Sequence, residues 1–168
     1  MDTGLFMPPL VAIVGNSDTG KTTLIEKLVP KLKERGYTVG TVKHTHHGFT
    51  MDQEGKDTYR HQAAGADTVV AISPRRIAVV KTSQQDSLEA ALPFLEDRDI
   101  VLVEGFKGGR CPKIEIFRKA AGGQPVCLGD PRLLALVADV KVETALPVFG
   151  LDEVDPIADF IEQQILKR

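Results

Sequence analysis

The stretch Leu10-Val11-Ala12-Ile13-Val14-Gly15-Asn16-Ser17-Asp18-Thr19-Gly20-Lys21-Thr22-Thr23 decides the reading of this chain. A continuous apolar run of strand type, as expected of a parallel strand covered on both faces, leads into a segment from Gly15 to Thr22 that fits G-x-x-x-x-G-K-[ST]. Glycines at the first and sixth positions permit backbone angles that turn successive N–H groups inward as an anion nest. The helix that follows presents unpaired N–H groups and the positive end of its dipole to the same anion. In such a cradle Lys21 bridges the β- and γ-phosphates, the Thr22 hydroxyl ligates Mg²⁺, and Thr23 donates to the α-phosphate. The pattern therefore points to nucleoside triphosphate binding over Gly15, Asn16, Ser17, Asp18, Thr19, Gly20, Lys21, Thr22 and Thr23.

Outward from the cradle, strands and helices alternate. Leu24, Ile25, Leu28, Val29 and Leu32 recur at helical spacing and predict a helix from about Gly20 to Arg35, stopped by Gly36 and kinked at Pro30. A strand follows at Thr38–Val42, then a polar loop from Lys43 to Lys56 and a helix at Asp57–Ala64. Two strands, Thr68–Ile72 and Arg76–Val80, joined through Ser73-Pro74-Arg75, read as a hairpin. Beyond them come a helix at Ser87–Leu95, strands at Ile100–Val103, Ile114–Phe117, Leu133–Ala138 and Pro147–Phe149, a turn at Ala120–Gly123, and a closing helix at Pro156–Leu166. This order predicts an α/β protein, a P-loop NTPase-like three-layer sandwich. Its sheet is expected to be mostly parallel with helices on both faces, the hairpin adding an antiparallel edge, in one domain spanning 1–168.

Composition narrows the function classes. The chain has 168 residues, 42% hydrophobic and 26% charged, with a formal net charge of -2, a normal globular balance that argues against non-specific nucleic-acid binding. No apolar run approaches the ~20 residues needed to span a bilayer, and the start lacks the basic region of a signal peptide. A cytoplasmic protein is the expectation. Cys111 and Cys127 have no metal-site spacing and read as free thiols of a reducing compartment.

Further site residues follow from the strand ends. Glu104 closes the buried strand Ile100–Val103, where P-loop proteins place an acidic residue that holds Mg²⁺ directly or through water; Gly105 leaves room for its N–H to approach the γ-phosphate. Lys43-His44-Thr45-His46-His47 follows the second strand, which in a parallel sheet ends on the cradle side. These histidines lack the cysteine or acidic partners of a zinc motif; solvated loop residues and ligand contacts both remain open, with Lys43 and His44 as candidate contacts. Asp52 is a candidate metal contact from the same loop. Guanine is read by an Asp accepting from N1–H and N2–H₂. The usual N-K-x-D carrier is absent, and Asp139, just past Leu133–Ala138, stands as either that reader or a loop-capping carboxylate.

Together, GNSDTGKTTL, TVKHTHHGFTMDQEGKDTYRHQAAGA and IVLVEGFKGGRCPKIEIFR resemble the MobB family of molybdopterin-guanine dinucleotide biosynthesis proteins, from about Leu10 to Leu166. The resemblance implies a GTP-binding accessory protein of molybdenum-cofactor maturation. It implies weak Mg²⁺-dependent GTP hydrolysis, a homodimer, and assistance to MobA, the guanylyltransferase that joins GMP to molybdopterin; direct contact with molybdopterin stays open. It carries nucleotide binding onto Gly15 through Thr23, with Lys21 and Glu104 as the residues acting on the phosphates and the metal, and a ligand role onto Lys43 and His44. The alternative is a small-molecule kinase on the same cradle, and a third reading is a module whose nucleotide is structural. Arg75, Arg76 and Arg110 are the candidates for an arginine acting across a dimer, and the Thr68–Val80 hairpin is the candidate dimer edge.

Overall fold

In the computed structural model, residues 8–45 and 47–167 are described. In chain order the regular elements are β1 (Leu10–Val14), α1 (Lys21–Glu34), β2 (Val39–Lys43), α2 (Asp57–Ala63), β3 (Thr68–Ser73), β4 (Arg76–Lys81), β5 (Ile100–Glu104), β6 (Lys113–Phe117), β7 (Leu133–Ala138), β8 (Val148–Phe149) and α3 (Val154–Ile161). The chain forms two compact units: Thr45–Ala90 is one, and the segments on either side of it make the other.

The larger unit holds a six-stranded sheet in the order β2-β5-β1-β6-β7-β8. Every neighbouring pair in it is parallel. The apolar runs of β1, β5 and β7 suit this arrangement, because strands covered on both faces have no solvent side to place polar residues on. On one face Val11, Ile13, Ile100, Leu102, Ile114, Ile116, Ala135 and Val137 form one core with Leu24, Leu28 and Leu32 of α1 and Ile157, Ala158 and Ile161 of α3. Each large aliphatic side chain buried there contributes about 1.5–3 kcal/mol. Arg35 at the end of α1 ties the two helices together, donating from Nη1 to Asp159 Oδ1 at 2.7 Å and to Glu162. The helix runs on through Pro30, which faces solvent.

The opposite face is built differently. Lys113 and Glu115 on β6 are 0% and 1% exposed, and charges taken out of water need partners. Lys113 Nζ donates to Asp130 Oδ2 at 2.5 Å and to the Gly109 carbonyl at 2.6 Å. The Glu115 carboxylate accepts from the N–H groups of Val126 at 2.6 Å and Cys127 at 2.9 Å. These bonds hold Gly109, Val126, Cys127 and Asp130, from the irregular chain on either side of β6, against this face. Cys111 and Cys127 are buried free thiols, both raised in pKa by that burial.

The helix expected over Ser87–Leu95 is instead a pair of 3-10 turns, Leu88–Ala90 and Leu92–Phe94. Pro93 lacks the N–H that a continuing α-helix would bond, and it disfavours the helical conformation at the residue before it. Leu95, just past the second turn, approaches Gly40 so closely that a β-carbon there would lie 2.7 Å from its Cδ2. The closing helix is α3 followed by a π-helical turn over Glu162–Leu166.

The smaller unit contains α2 and the β3–β4 hairpin, in which Ile72 faces Ile77 and Ser73 faces Arg76. The hairpin forms as expected but stands as a two-stranded sheet of its own, hydrogen-bonded to no strand of the main sheet. Among the described residues no helix is long and apolar enough to cross a membrane.

The Lys113–Asp130 pair makes stability pH-dependent. Hydrogen bonding from Lys113 holds the Asp130 carboxyl below its ordinary pKa. A depressed folded-state pKa contributes stability above the unfolded carboxylate pKa, and that contribution is lost as pH falls through the folded value. Urea unfolding midpoints taken between about pH 6 and pH 2 are therefore expected to drop toward the acid end, and Asp130→Asn is expected to flatten the drop while lowering the midpoint at neutral pH.

Candidate functional site

The sheet order makes β1 a switch point: the chain moves from β1 to β2 on one side, and the later strands β6, β7 and β8 extend on the other. Ligands of open α/β sheets bind at the carboxyl ends of strands where the order reverses. Gly15 follows β1 there, Glu104 ends β5 and Lys43 ends β2, with Ile13 and Lys43 both in register with Glu104.

Gly15 is the most constrained position of the loop. Its φ is 144°, and a β-carbon would meet the Ile116 carbonyl at 2.3 Å and Thr19 Oγ1 at 2.9 Å. Only glycine fits, and its lack of a side chain lets the loop pack directly against β6. Asp18 has a φ of 58° and Gly20, capping α1, one of 97°, so the chain reverses tightly before the helix begins. Thr19 is 1% exposed and its Oγ1 donates to the Asn16 carbonyl at 3.0 Å; its hydroxyl therefore staples the loop. Thr22 and Thr23 lie exposed on the first turn of α1, where N–H groups have no partner within the helix.

Lys21 extends back along the loop, donating to the carbonyls of Asn16 at 2.6 Å and Gly15 at 3.3 Å. Its pKa is lowered, first by burial and then by the charge of Lys107, against opposing pulls from Glu104 and Asp18. A second cation thus crowds the first, an arrangement that an anion between them would relieve. Lys107 itself donates to Asn16 Oδ1 at 3.2 Å. Sequence reasoning missed this residue; the available signal was a lysine followed by two glycines just past the metal-side strand.

On the other side of the cradle, Thr22 Oγ1 donates to Glu104 Oε1 at 2.9 Å, and Lys43 Nζ lies 3.3 Å from the same oxygen. A hydroxyl and a carboxylate side by side at the start of the helix are the oxygen donors Mg²⁺ takes in a phosphate site, where water and substrate oxygens complete the octahedron. The donor set fits that use. Among the described residues no group of three His, Cys, Asp or Glu side chains could hold a metal by itself.

Three expected contacts are engaged otherwise. The Gly105 N–H, expected to approach the γ-phosphate, donates to the Ile13 carbonyl at 2.9 Å and prolongs the β1–β5 ladder. The His44 N–H donates to the Glu104 carbonyl at 3.0 Å, while its ring stands edge-on to Phe106 with centroids 4.6 Å apart; His44 thus buttresses the turn that carries Glu104. Asp139 Oδ1 accepts from the Lys119 N–H at 2.9 Å, which is the loop-capping use of that carboxylate. Asp52 belongs to the smaller unit, where its Oδ1 accepts from the Gln53 N–H at 2.8 Å. His47 is exposed, and His46 lies outside the described residues. Arg75 and Arg76 are exposed in the smaller unit and Arg110 on the loop after β5.

Residues 10–139 match the family described as MobB, molybdopterin guanine dinucleotide synthesis protein B. The chain is similar to the molybdopterin-guanine dinucleotide biosynthesis adapter protein of Escherichia coli strain K12, 38% identical with 98% of each chain covered. It is similar also to the protein of the same description from Haemophilus influenzae, 37% identical over 92% of this chain and 88% of the relative. Among solved structures, Bacillus subtilis MobB superposes with a TM-score of 0.72 at 29% identity, covering 94% of this chain and 98% of the other. With a family match across most of its length, a near full-length relative at this identity and the same fold, the chain belongs to the MobB family.

Proposed function

We propose that this chain is a GTP-binding adapter protein of molybdenum-cofactor biosynthesis. In this reading it binds GTP with Mg²⁺ at the Gly15–Thr23 cradle, acts in the cytoplasm as a homodimer, and assists a MobA-like guanylyltransferase that makes molybdopterin-guanine dinucleotide. The adapter role rests on the family and on the description its relatives carry. The nucleotide role rests on one observation above all: a loop at the switch point, packed directly against β6 at Gly15, with Lys21 and Lys107 on one side and the Thr22–Glu104 pair on the other.

The division of labour among the residues follows from their positions. Loop and first-turn N–H groups bind the phosphates, and Lys21 moves from its carbonyl partners to the phosphate oxygens. Thr22 and Glu104 would hold Mg²⁺, and Lys43 lies beside the Glu104 carboxylate. Mg²⁺, when bound, neutralises charge developing on the phosphates. Hydrolysis on this reading is weak unless Arg75, Arg76 or Arg110 is supplied across the dimer, since an arginine finger alone is worth ~10³–10⁵ in rate.

Calorimetric titration of the full chain with GTP and with ATP, each with Mg²⁺, is expected to show preferential GTP binding that Lys21→Ala abolishes. ATP-selective binding, with turnover only when a phosphoryl acceptor is added, would replace this reading with a small-molecule kinase. The metal role has its own test: Glu104→Gln and Thr22→Ala are expected to weaken Mg²⁺-dependent GTP affinity ~10–100-fold, the usual loss on removing a metal-orienting group, with little change in the metal-free affinity. For the dimer, Val70, Ile72 and Ile77 are 51%, 76% and 70% exposed on the β3–β4 hairpin, with Ile72 directly opposite Ile77. Light scattering is expected to give a dimer mass for the natural chain and a monomer mass for Ile72→Glu/Ile77→Glu; an unchanged dimer mass would remove the hairpin from the interface.

A further inference from the structure

A nucleotide that places its phosphates in the Gly15–Thr23 cradle must place its base within one ribose of the α-phosphate, and that restriction selects among the clefts of the larger unit. A small half-open cleft of about 90 Å³ adjoins the helix side of the cradle, lined by Thr19, Gly20, Thr23, Lys27, Arg118 and Asp152. Leu24, Ile116 and Leu151 supply its apolar walls. Its mixture of apolar walls and a few polar groups is what small-ligand sites share. The cleft beside Asp139 is lined instead by Phe117, Lys119 and residues beyond Gly123, with no residue of the cradle among them. A third cleft, lined by Asn16, Ser17, Asp18 and residues 120–123, also touches the cradle, but no ammonium or guanidinium group is among its lining.

Two polar side chains form a pair at the near cleft. Lys27 Nζ, one turn along α1 from Thr23, donates to Asp152 Oδ1 at 2.8 Å. Asp152 follows β8, and its side chain is 91% exposed, so the carboxylate is open to further donors. A donor and an acceptor held side by side make a recognition edge. Guanine presents, in sequence along one edge, the O6 acceptor and the N1–H and N2–H₂ donors; adenine presents an N6–H₂ donor and the N1 acceptor. An ammonium beside a carboxylate matches the guanine edge, Lys27 donating to O6 and Asp152 accepting from N1–H and N2–H₂. Against adenine the same pair sets donor to donor and acceptor to acceptor, the mismatch from which discrimination comes. The Arg118 guanidinium is available to the flat face of the base, where delocalised cations stack.

Resting on the proposed nucleotide-binding role, we infer that the Lys27–Asp152 pair reads the guanine base, and that the cleft between α1 and the loop after β8 is the nucleoside site. Asp139 then keeps the loop-capping role seen in the structure.

The test exchanges the base-reading hydrogen bonds without touching the phosphate cradle. Xanthine carries an O2 acceptor where guanine carries N2–H₂, so an amide donor at residue 152 suits xanthine and a carboxylate does not. GTP, ATP and xanthosine triphosphate, each with Mg²⁺, are titrated calorimetrically into the full-length natural chain and into Asp152→Asn. Asp152→Asn is expected to lose GTP affinity ~10–100-fold, the worth of hydrogen bonds to a charged group, and to gain affinity for xanthosine triphosphate by a similar factor. Lys27→Met, which keeps the stem and removes the donor to O6, is expected to narrow the preference for GTP over ATP. A GTP preference unchanged in Asp152→Asn, or a switch to xanthine produced by Asp139→Asn instead, would overturn the assignment. No triphosphate binding by the natural chain would overturn the underlying nucleotide reading and this assignment with it, whereas binding that is lost in Lys21→Ala but indifferent to residue 152 would overturn this assignment alone.

Discussion

The structure of the larger unit turns on a contact that only glycine permits. The Ile116 carbonyl on β6 lies 2.3 Å from the place a β-carbon of residue 15 would occupy. Because residue 15 has no side chain, β1 can run directly into a loop that folds tightly against the neighbouring strand. Everything that binds at that loop depends on this approach. Thr19, buried beneath the loop, can reach the Asn16 carbonyl only because the loop sits low on the sheet, and α1 begins with its first turn unpaired just where that loop ends.

A second constraint works on the opposite face. β6 carries Lys113 and Glu115 into the interior, and neither is tolerable there without full satisfaction. Each is met by chain from the segment that follows β5 and β6: Gly109 and Asp130 for the ammonium, and the N–H groups of 126 and 127 for the carboxylate. Apolar residues in these positions would stabilise the sheet at least as well, since a buried ion pair gains little over well-packed hydrophobic groups. What the charges add is direction. They specify which loop atoms lie over β6, and so fix the run of chain from Phe106 to Gly109 that presents Lys107 to the cradle.

How far the sequence announced this structure depends on where its information lay. The cradle, the buried strands and α1 were legible because their residue types are dictated locally, by apolar runs and by backbone angles that few residues adopt. β6 was harder. Its alternation Lys113-Ile114-Glu115-Ile116 is that of a half-exposed strand, yet both faces are covered, because Asp130 and the N–H groups of 126 and 127, which make burial possible, arrive from more than ten residues away. The stretch Ser87–Leu95 has helical composition, but Pro93 in its middle outweighs the rest and leaves two single turns. The hairpin's strands were clear, while its separation from the main sheet was not, since hydrophobic alternation fixes a strand's faces and says nothing of which edge it joins. Asp152 escaped notice for a similar reason: an acidic residue in a loop is ordinary until the fold sets it against Lys27.

The electrostatics of the site resolve a tension left by the composition. A net charge of -2 offers no general attraction for polyanions, yet the cradle gathers Lys21, Lys107 and Lys43 around one loop. Their mutual repulsion is already visible in Lys21, whose pKa is pulled down partly by Lys107. Without a bound anion the loop carbonyls and Glu104 hold these cations as provisional partners. A triphosphate would replace those partners with oxygens carrying more charge, in a spot partly shielded from water, where each interaction is stronger than at the open surface. Local concentration of positive charge within a mildly acidic protein thus favours a small, dense anion over an extended one. Such a concentration is what separates a compact anion site from a nucleic-acid surface, which spreads its positive charge along an extended polyanion.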